Sequence, residues 1–132
     1  MPESEIPDDE VVYHRVPPGK DWFAPPDRVS SLNFKLRPGE IGISVYRASI
    51  VDVGGVLNKP GAIPGSGVSQ ATVGQIRAAR DKKGTPLELD VVPVDDEDDP
   101  GHAEIRGPRL HQDAKVAAKV LKEVFTLTQA PS

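Results

Sequence analysis

Residues 31–49 read SLNFKLRPGEIGISVYRAS, and the fold of the whole chain turns on this stretch. Leu32, Phe34 and Leu36 alternate with Asn33, Lys35 and Arg37. After Pro38-Gly39, Ile41, Ile43 and Val45 alternate with Gly42, Ser44 and Tyr46. A period of two on both sides of a Pro-Gly pair predicts two half-buried antiparallel strands. Pro38 presets φ at the first central position of a type II turn, and Gly39 accepts the positive φ needed at the second.

Toward the N-terminus, VVYHRV (residues 11–16) reads as a short strand closed by Pro17-Pro18-Gly19. One of its faces carries Val12, His14 and Val16; the other carries Val11, Tyr13 and Arg15. Residues 1–10, MPESEIPDDE, read as an acidic flexible tail. Trp22 and Phe23 lie in a Pro-rich loop, either as an apolar plug or, if exposed, as an anchor for a protein partner.

Toward the C-terminus, residues 50–67 hold five glycines in a Gly/Pro-rich loop. A helix is predicted from Ser69, as N-cap, to about Asp81, with Val73, Ile76 and Ala79 on its apolar side. Residues 87–94, LELDVVPV, read as a strand; Pro93 cannot donate to a ladder, so this strand belongs at an edge. DDEDDPG (residues 95–101) reads as a solvated loop, and HAEIR (residues 102–106) as another short strand. Val116, Ala117, Val120, Leu121 and Val124 recur at helical spacing and predict a final helix, with Gln129–Ser132 expected to fray. The sum is an α+β domain over residues 11–128: a small, mainly antiparallel sheet with two packed helices and long Gly/Pro-rich loops.

The chain has 132 residues, no cysteine and a formal charge of −4. Disulfides and thiolate chemistry are therefore excluded. A broad nucleic-acid surface is not expected at this charge. No apolar run reaches the ~18 residues of a membrane span, and the acidic start lacks the features of a signal peptide. A cytoplasmic location is the expectation.

The candidate chemistry is dispersed. His14, His102 and His111 show no HxxxH or HExxH spacing, so no metal site is assigned and no cofactor is expected. The alternative of a divalent-cation site rests on Asp95, Asp96, Asp98, Asp99 and His102, a run without the glycine and terminal glutamate of a calcium loop. No GxSxG elbow and no phosphate-binding glycine fingerprint occur. His14, Arg28 and Ser44 are candidate ligand-binding residues, with Arg28 beside Ser30-Ser31 as a possible phosphate contact.

Two resemblances bear on function. The series HRVPPG, RVSSLNF, GISVYRAS and GHAEI is similar to a group of small bacterial proteins without an established activity, which implies a bacterial cytosolic domain. The early Arg15, the strand pair Ser44 and Tyr46, and the late Glu104 resemble the dispersed triads of RES-type proteins with the ADP-ribosyltransferase fold. That resemblance implies an NAD-consuming enzyme. In it Arg15 grips the pyrophosphate or ribose, Tyr46 or Ser44 supports the nicotinamide ribose, and Glu104 stabilises oxocarbenium-like charge. The leading expectation is a non-enzymatic accessory or protein-binding domain engaging its partner through Trp22 and Phe23. The alternative is a nucleotide- or NAD-handling enzyme using Arg15, Tyr46 and Glu104 as catalytic residues.

Overall fold

The computed structural model describes residues 6–132. Strands β1 (Val11–Val16), β4 (Ile43–Arg47), β5 (Gly67–Thr72), β6 (Asp90–Pro93), β7 (His102–Arg106) and β8 (Thr126–Gln129) form one sheet in the order β6-β7-β4-β1-β5-β8. Every pairing in it is antiparallel. Two-residue strands β2 (Phe23–Ala24) and β3 (Arg28–Val29) make a small second sheet. The helices are α1 (Val53–Leu57), α2 (Val73–Arg77), α3 (Arg109–Gln112) and α4 (Ala114–Val124). This is the expected α+β class.

Register fixes what each sheet face carries. Ile43 pairs with Ile105, which pairs with Val91; Val45 pairs with Ala103. These residues and Val12 are buried in the main core, against Ile76, Ala117, Ala118 and Leu121 of α2 and α4. On the opposite face Tyr46 pairs with Tyr13 and His102, Ser44 with Glu104, and Arg15 with Val68. There Tyr46, Val56 and Val68 form a smaller apolar cluster under α1.

The Pro-Gly turn forms as expected: Gly39 has φ +86° and the Glu40 amide donates to the Arg37 carbonyl at 3.1 Å. Only one arm of the expected hairpin is a strand. Ser31–Phe34 instead forms a 3₁₀ turn. The Leu32 amide donates to Ser30 Oγ at 3.2 Å, and Asn33 Nδ2 donates to the Trp22 and Ser30 carbonyls at 2.9 Å each. Such local side-chain bonds compete with a strand ladder. The turn exposes Leu32 to 48% and buries Phe34 to 1%, whereas a strand would put both on one face.

Other expectations are corrected similarly. The helix expected from Ser69 is a strand up to Thr72 followed by the short α2. The true N-cap is Thr72, in a reciprocal capping box with Gln75. Of the end expected to fray, Gln129 closes strand β8 by pairing with Val68, and the Ser132 amide donates to the Gly65 carbonyl at 2.9 Å. A Cβ on Gly67 would collide with the Gln129 carbonyl, so this approach needs glycine. Val116 is exposed, and the buried stripe of α4 is Ala117, Ala118 and Leu121. The strand expected over 87–94 is confined to Asp90–Pro93, and it lies at a sheet edge as Pro93 requires.

Of the expected flexible tail, residues 1–5 lie outside the described residues. Ile6 is fully buried in the main core. Glu10 pairs with Arg47 at 2.8 Å and accepts from Ser49 Oγ. No described helix is long and apolar enough to cross a membrane.

Candidate functional site

The sheet splits at its centre. β1 stays paired with β5 along all six of its residues, but with β4 only at Val12–Arg47 and Tyr13–Tyr46. Past that point the His14 ring, not a backbone amide, reaches β4: Nδ1 lies 2.9 Å from the Ser44 carbonyl. A cavity of about 300 Å³ opens at the split. His14, Arg15 and Pro17 line it from β1, and Ile43, Ser44 and Tyr46 from β4. The 3₁₀ turn and the loops on either side of it supply Trp22, Asn33, Lys35, Arg37 and Glu40; the 61–66 loop supplies Ile63 and Ser66.

Three cations and one carboxylate line this cavity, giving 3 − 1 = +2 in a chain whose formal charge is −4. A concave site of one sign focuses the field and draws anions to it. The aromatic walls are held by the same cations. The Arg37 guanidinium lies 5.8 Å from the Trp22 ring and the Arg15 guanidinium 5.4 Å from the Tyr46 ring, both within cation–π range. Arg15 also donates to the Val56 carbonyl at 3.4 Å. In the wall, Asn33 is 8% exposed; its Oδ1 is buried with no donor among the described residues.

His14 faces the core as its strand position predicts. Its ring centroid is 4.9 Å from Phe34 and 6.3 Å from Phe125. Burial holds its pKa below the ordinary histidine value, and the Arg15 charge acts the same way. Backbone hydrogen bonds at Ser44 and Asn33 only partly oppose this. His14 is therefore a neutral wall group.

A second set of side chains adjoins the cavity at Ser44. His102 Nε2 is 3.0 Å from Ser44 Oγ, and His102 Nδ1 is 3.7 Å from Asp99 Oδ2. Asp99 also pairs with Lys59 at 2.7 Å and accepts from the Tyr46 hydroxyl at 3.4 Å. The His102 ring stacks on Tyr46 with centroids 5.5 Å apart. Burial raises the Tyr46 pKa above its ordinary value, so it stays a phenol and a donor.

Arg15, Ser44 and Tyr46 thus line one cavity, and Glu104 shares their sheet face through its pairing with Ser44. Glu104 lies outside the cavity lining and accepts two hydrogen bonds from Arg106, at 2.8 and 2.9 Å. Trp22 lines the cavity, whereas Phe23 is only 7% exposed and belongs to the interior. Arg28 is exposed on β3 and is not part of the cavity wall. Asp95–Asp98 point to solvent while Asp99 turns inward to Lys59. Among the described residues no group of three or more His, Asp or Glu is placed to hold a metal ion.

Sequence reasoning missed Asn33, Lys35, Arg37, Lys59 and the link from Asp99 through His102 to Ser44. The only local signal for that link was an aspartate three residues before a histidine at a strand start. The chain matches no protein-family model, curated protein or solved structure.

Proposed function

We propose that the cavity binds a small anionic ligand of the nucleotide or dinucleotide class. The carrying observation is the excess of cations in a concave site that also holds the Trp22 ring, within an acidic chain. Arg15, Lys35 and Arg37 would take phosphates, and Trp22 would offer a stacking face. The buried Asn33 Oδ1 suits an amino or carboxamide donor, since an unsatisfied buried acceptor costs ~1–3 kcal/mol. An NAD-consuming activity further requires Glu104 to leave Arg106 and turn toward the cavity.

The test is a thermal-shift and calorimetric titration with NAD, ADP-ribose, AMP and inorganic phosphate. The expected result is saturable binding of a nucleotide that Arg15→Ala and Arg37→Ala each weaken at least about tenfold, ~1.4 kcal/mol. Absence of binding by every nucleotide at millimolar concentration refutes the reading.

A second reading, a protein-binding accessory domain, is favoured by one observation. Leu32 and Ile63 at the cavity and Ile41 beside it are 48%, 53% and 65% exposed. Exposed apolar side chains set among polar ones can supply the apolar core of a protein interface. It predicts that Ile41→Ser, outside the cavity lining, weakens partner binding while leaving nucleotide affinity intact.

A further inference from the structure

We infer that Ser44 is an activated nucleophile, with His102 as its general base and Asp99 as the positioning residue for His102, and that the cavity hydrolyses small carboxylic esters bearing an anionic group. The inference stands on geometry separate from nucleotide affinity. Ser44 is solvent-exposed in the cavity wall. Its Oγ is 3.0 Å from His102 Nε2, within the reach at which a base can take its proton. The other ring nitrogen faces Asp99 Oδ2 at 3.7 Å. Nucleophile, base and third oriented group form the arrangement that recurs on unrelated folds, recognised by geometry and not by chain order.

The supports of the relay are built in. His102 and Ser44 lie on neighbouring strands, where Tyr46 pairs with His102 and Ser44 with Glu104, so the sheet fixes their separation. Tyr46 stacks on the imidazole and donates to the same carboxylate oxygen that faces it. Lys59 holds the other oxygen of Asp99. Asp99 is thereby anchored at both oxygens, and an Nδ1–H on His102 pointing to it leaves Nε2 free to accept from Ser44. Catalytic hydrogen bonds in unliganded sites are often longer than in the complex, which accommodates the 3.7 Å spacing.

The reaction balances without any further reagent. Ser44 Oγ bonds to the ester carbonyl carbon as its proton passes to His102 Nε2. The carbon–oxygen bond to the alcohol breaks, and His102 returns the proton to that leaving oxygen. Water then attacks the acyl-Ser44 carbonyl, giving a proton to His102. The carbon–Ser44 bond breaks, the proton returns to Oγ, and a carboxylic acid is released, which ionises. Arg15, on the same sheet face and in the same cavity, is the cation nearest in kind to an oxyanion partner. Lys35 and Arg37 favour an anionic group elsewhere on the ester.

The test is covalent labelling with a fluorophosphonate, read by intact mass and peptide mapping. A single adduct on Ser44 is expected, absent in Ser44→Ala. His102→Gln, which keeps a polar side chain but no base, should slow labelling by ~10²-fold or more. Asp99→Asn should slow it, and Asp99→Glu should restore part of the rate. Turnover of p-nitrophenyl hemisuccinate should exceed that of p-nitrophenyl acetate. No Ser44 adduct in the folded protein, an adduct indifferent to His102→Gln, or adduct formation without turnover of either ester each overturns the inference. Nucleotide affinity of Ser44→Ala is measured in parallel, so failure of the relay is separable from failure of the ligand reading.

Discussion

Phe34→Ala and Leu32→Ala should differ sharply, although strand alternation would give them equal weight. Phe34 is 1% exposed, with its ring centroid 4.9 Å from His14 and 4.8 Å from Phe125. Leu32, two residues earlier, is 48% exposed. Removing a buried phenyl ring costs ~3–5 kcal/mol through lost transfer energy and the cavity left behind. Ring-on-ring contacts supply ~0.5–1.5 kcal/mol of this beyond area. An unfolding entropy of ~2.1 cal/mol/K per residue over 132 residues gives ~0.3 kcal/mol per degree. Phe34→Ala should therefore lower Tm by ~10–17 °C, and Leu32→Ala, with half its surface already wet, by no more than ~3 °C. Urea unfolding should show the same ranking as a fall in midpoint at constant m-value. Equal losses for the two variants would refute the 3₁₀ turn and restore the two-stranded hairpin.

Three other outcomes follow from the same packing. Burial pushes the Glu10 carboxyl upward, but hydrogen bonds from Arg47 and Ser49 outweigh it and leave the pKa lowered. Its stabilisation is therefore complete above the unfolded value near 4.5 and is lost as pH falls through the folded pKa; Glu10→Gln should flatten that part of a pH–stability profile. His14 has a folded pKa below the ordinary histidine value because burial disfavours the imidazolium. The unfolded chain then binds the proton first, so stability declines as pH falls from about 6.5 toward the folded pKa; a two-dimensional NMR titration should show His14 titrating below the ordinary range. Gly67→Ala drives a methyl into the Gln129 carbonyl, so amide exchange across the β5–β8 pairing should accelerate while β4–β7 stays protected.

The parts of the fold readable from sequence were those where periodicity and burial coincide. VVYHRV and HAEIR are strands as written, and residues 114–124 carry the expected helix. The region around Ser31 misled because Ser30 and Asn33 bond to local backbone and bend an alternating sequence into a turn. At Ser69 a good capping residue was preferred over the capping box three residues further on, Thr72 with Gln75. β8 was invisible because Thr-Leu-Thr-Gln is short and gains its pairing only from β5, more than fifty residues away in the chain.

The site was half legible. Arg15, Ser44 and Tyr46 were named from three separate stretches and line one cavity. Lys35, Arg37 and Lys59 looked like ordinary surface charge, because one-dimensional spacing cannot show which loops fold over the same split. Asp99 looked like one acid among five; the reversal of the chain between it and His102 alone distinguishes it from its neighbours.

The two outer strands of the sheet have a consequence for behaviour at high concentration. β6 ends at Pro93 and begins at the exposed Asp90, and Pro131 follows shortly after β8. The β6 margin offers no unbroken row of amides to another chain, and charge and proline are the devices that blunt such templates; at the other margin Pro131 limits how far β8 can extend. The protein should remain dispersed in solution despite a six-stranded sheet with open ends, and replacing Pro93 by valine should convert one margin into a seam for strand-to-strand polymerisation.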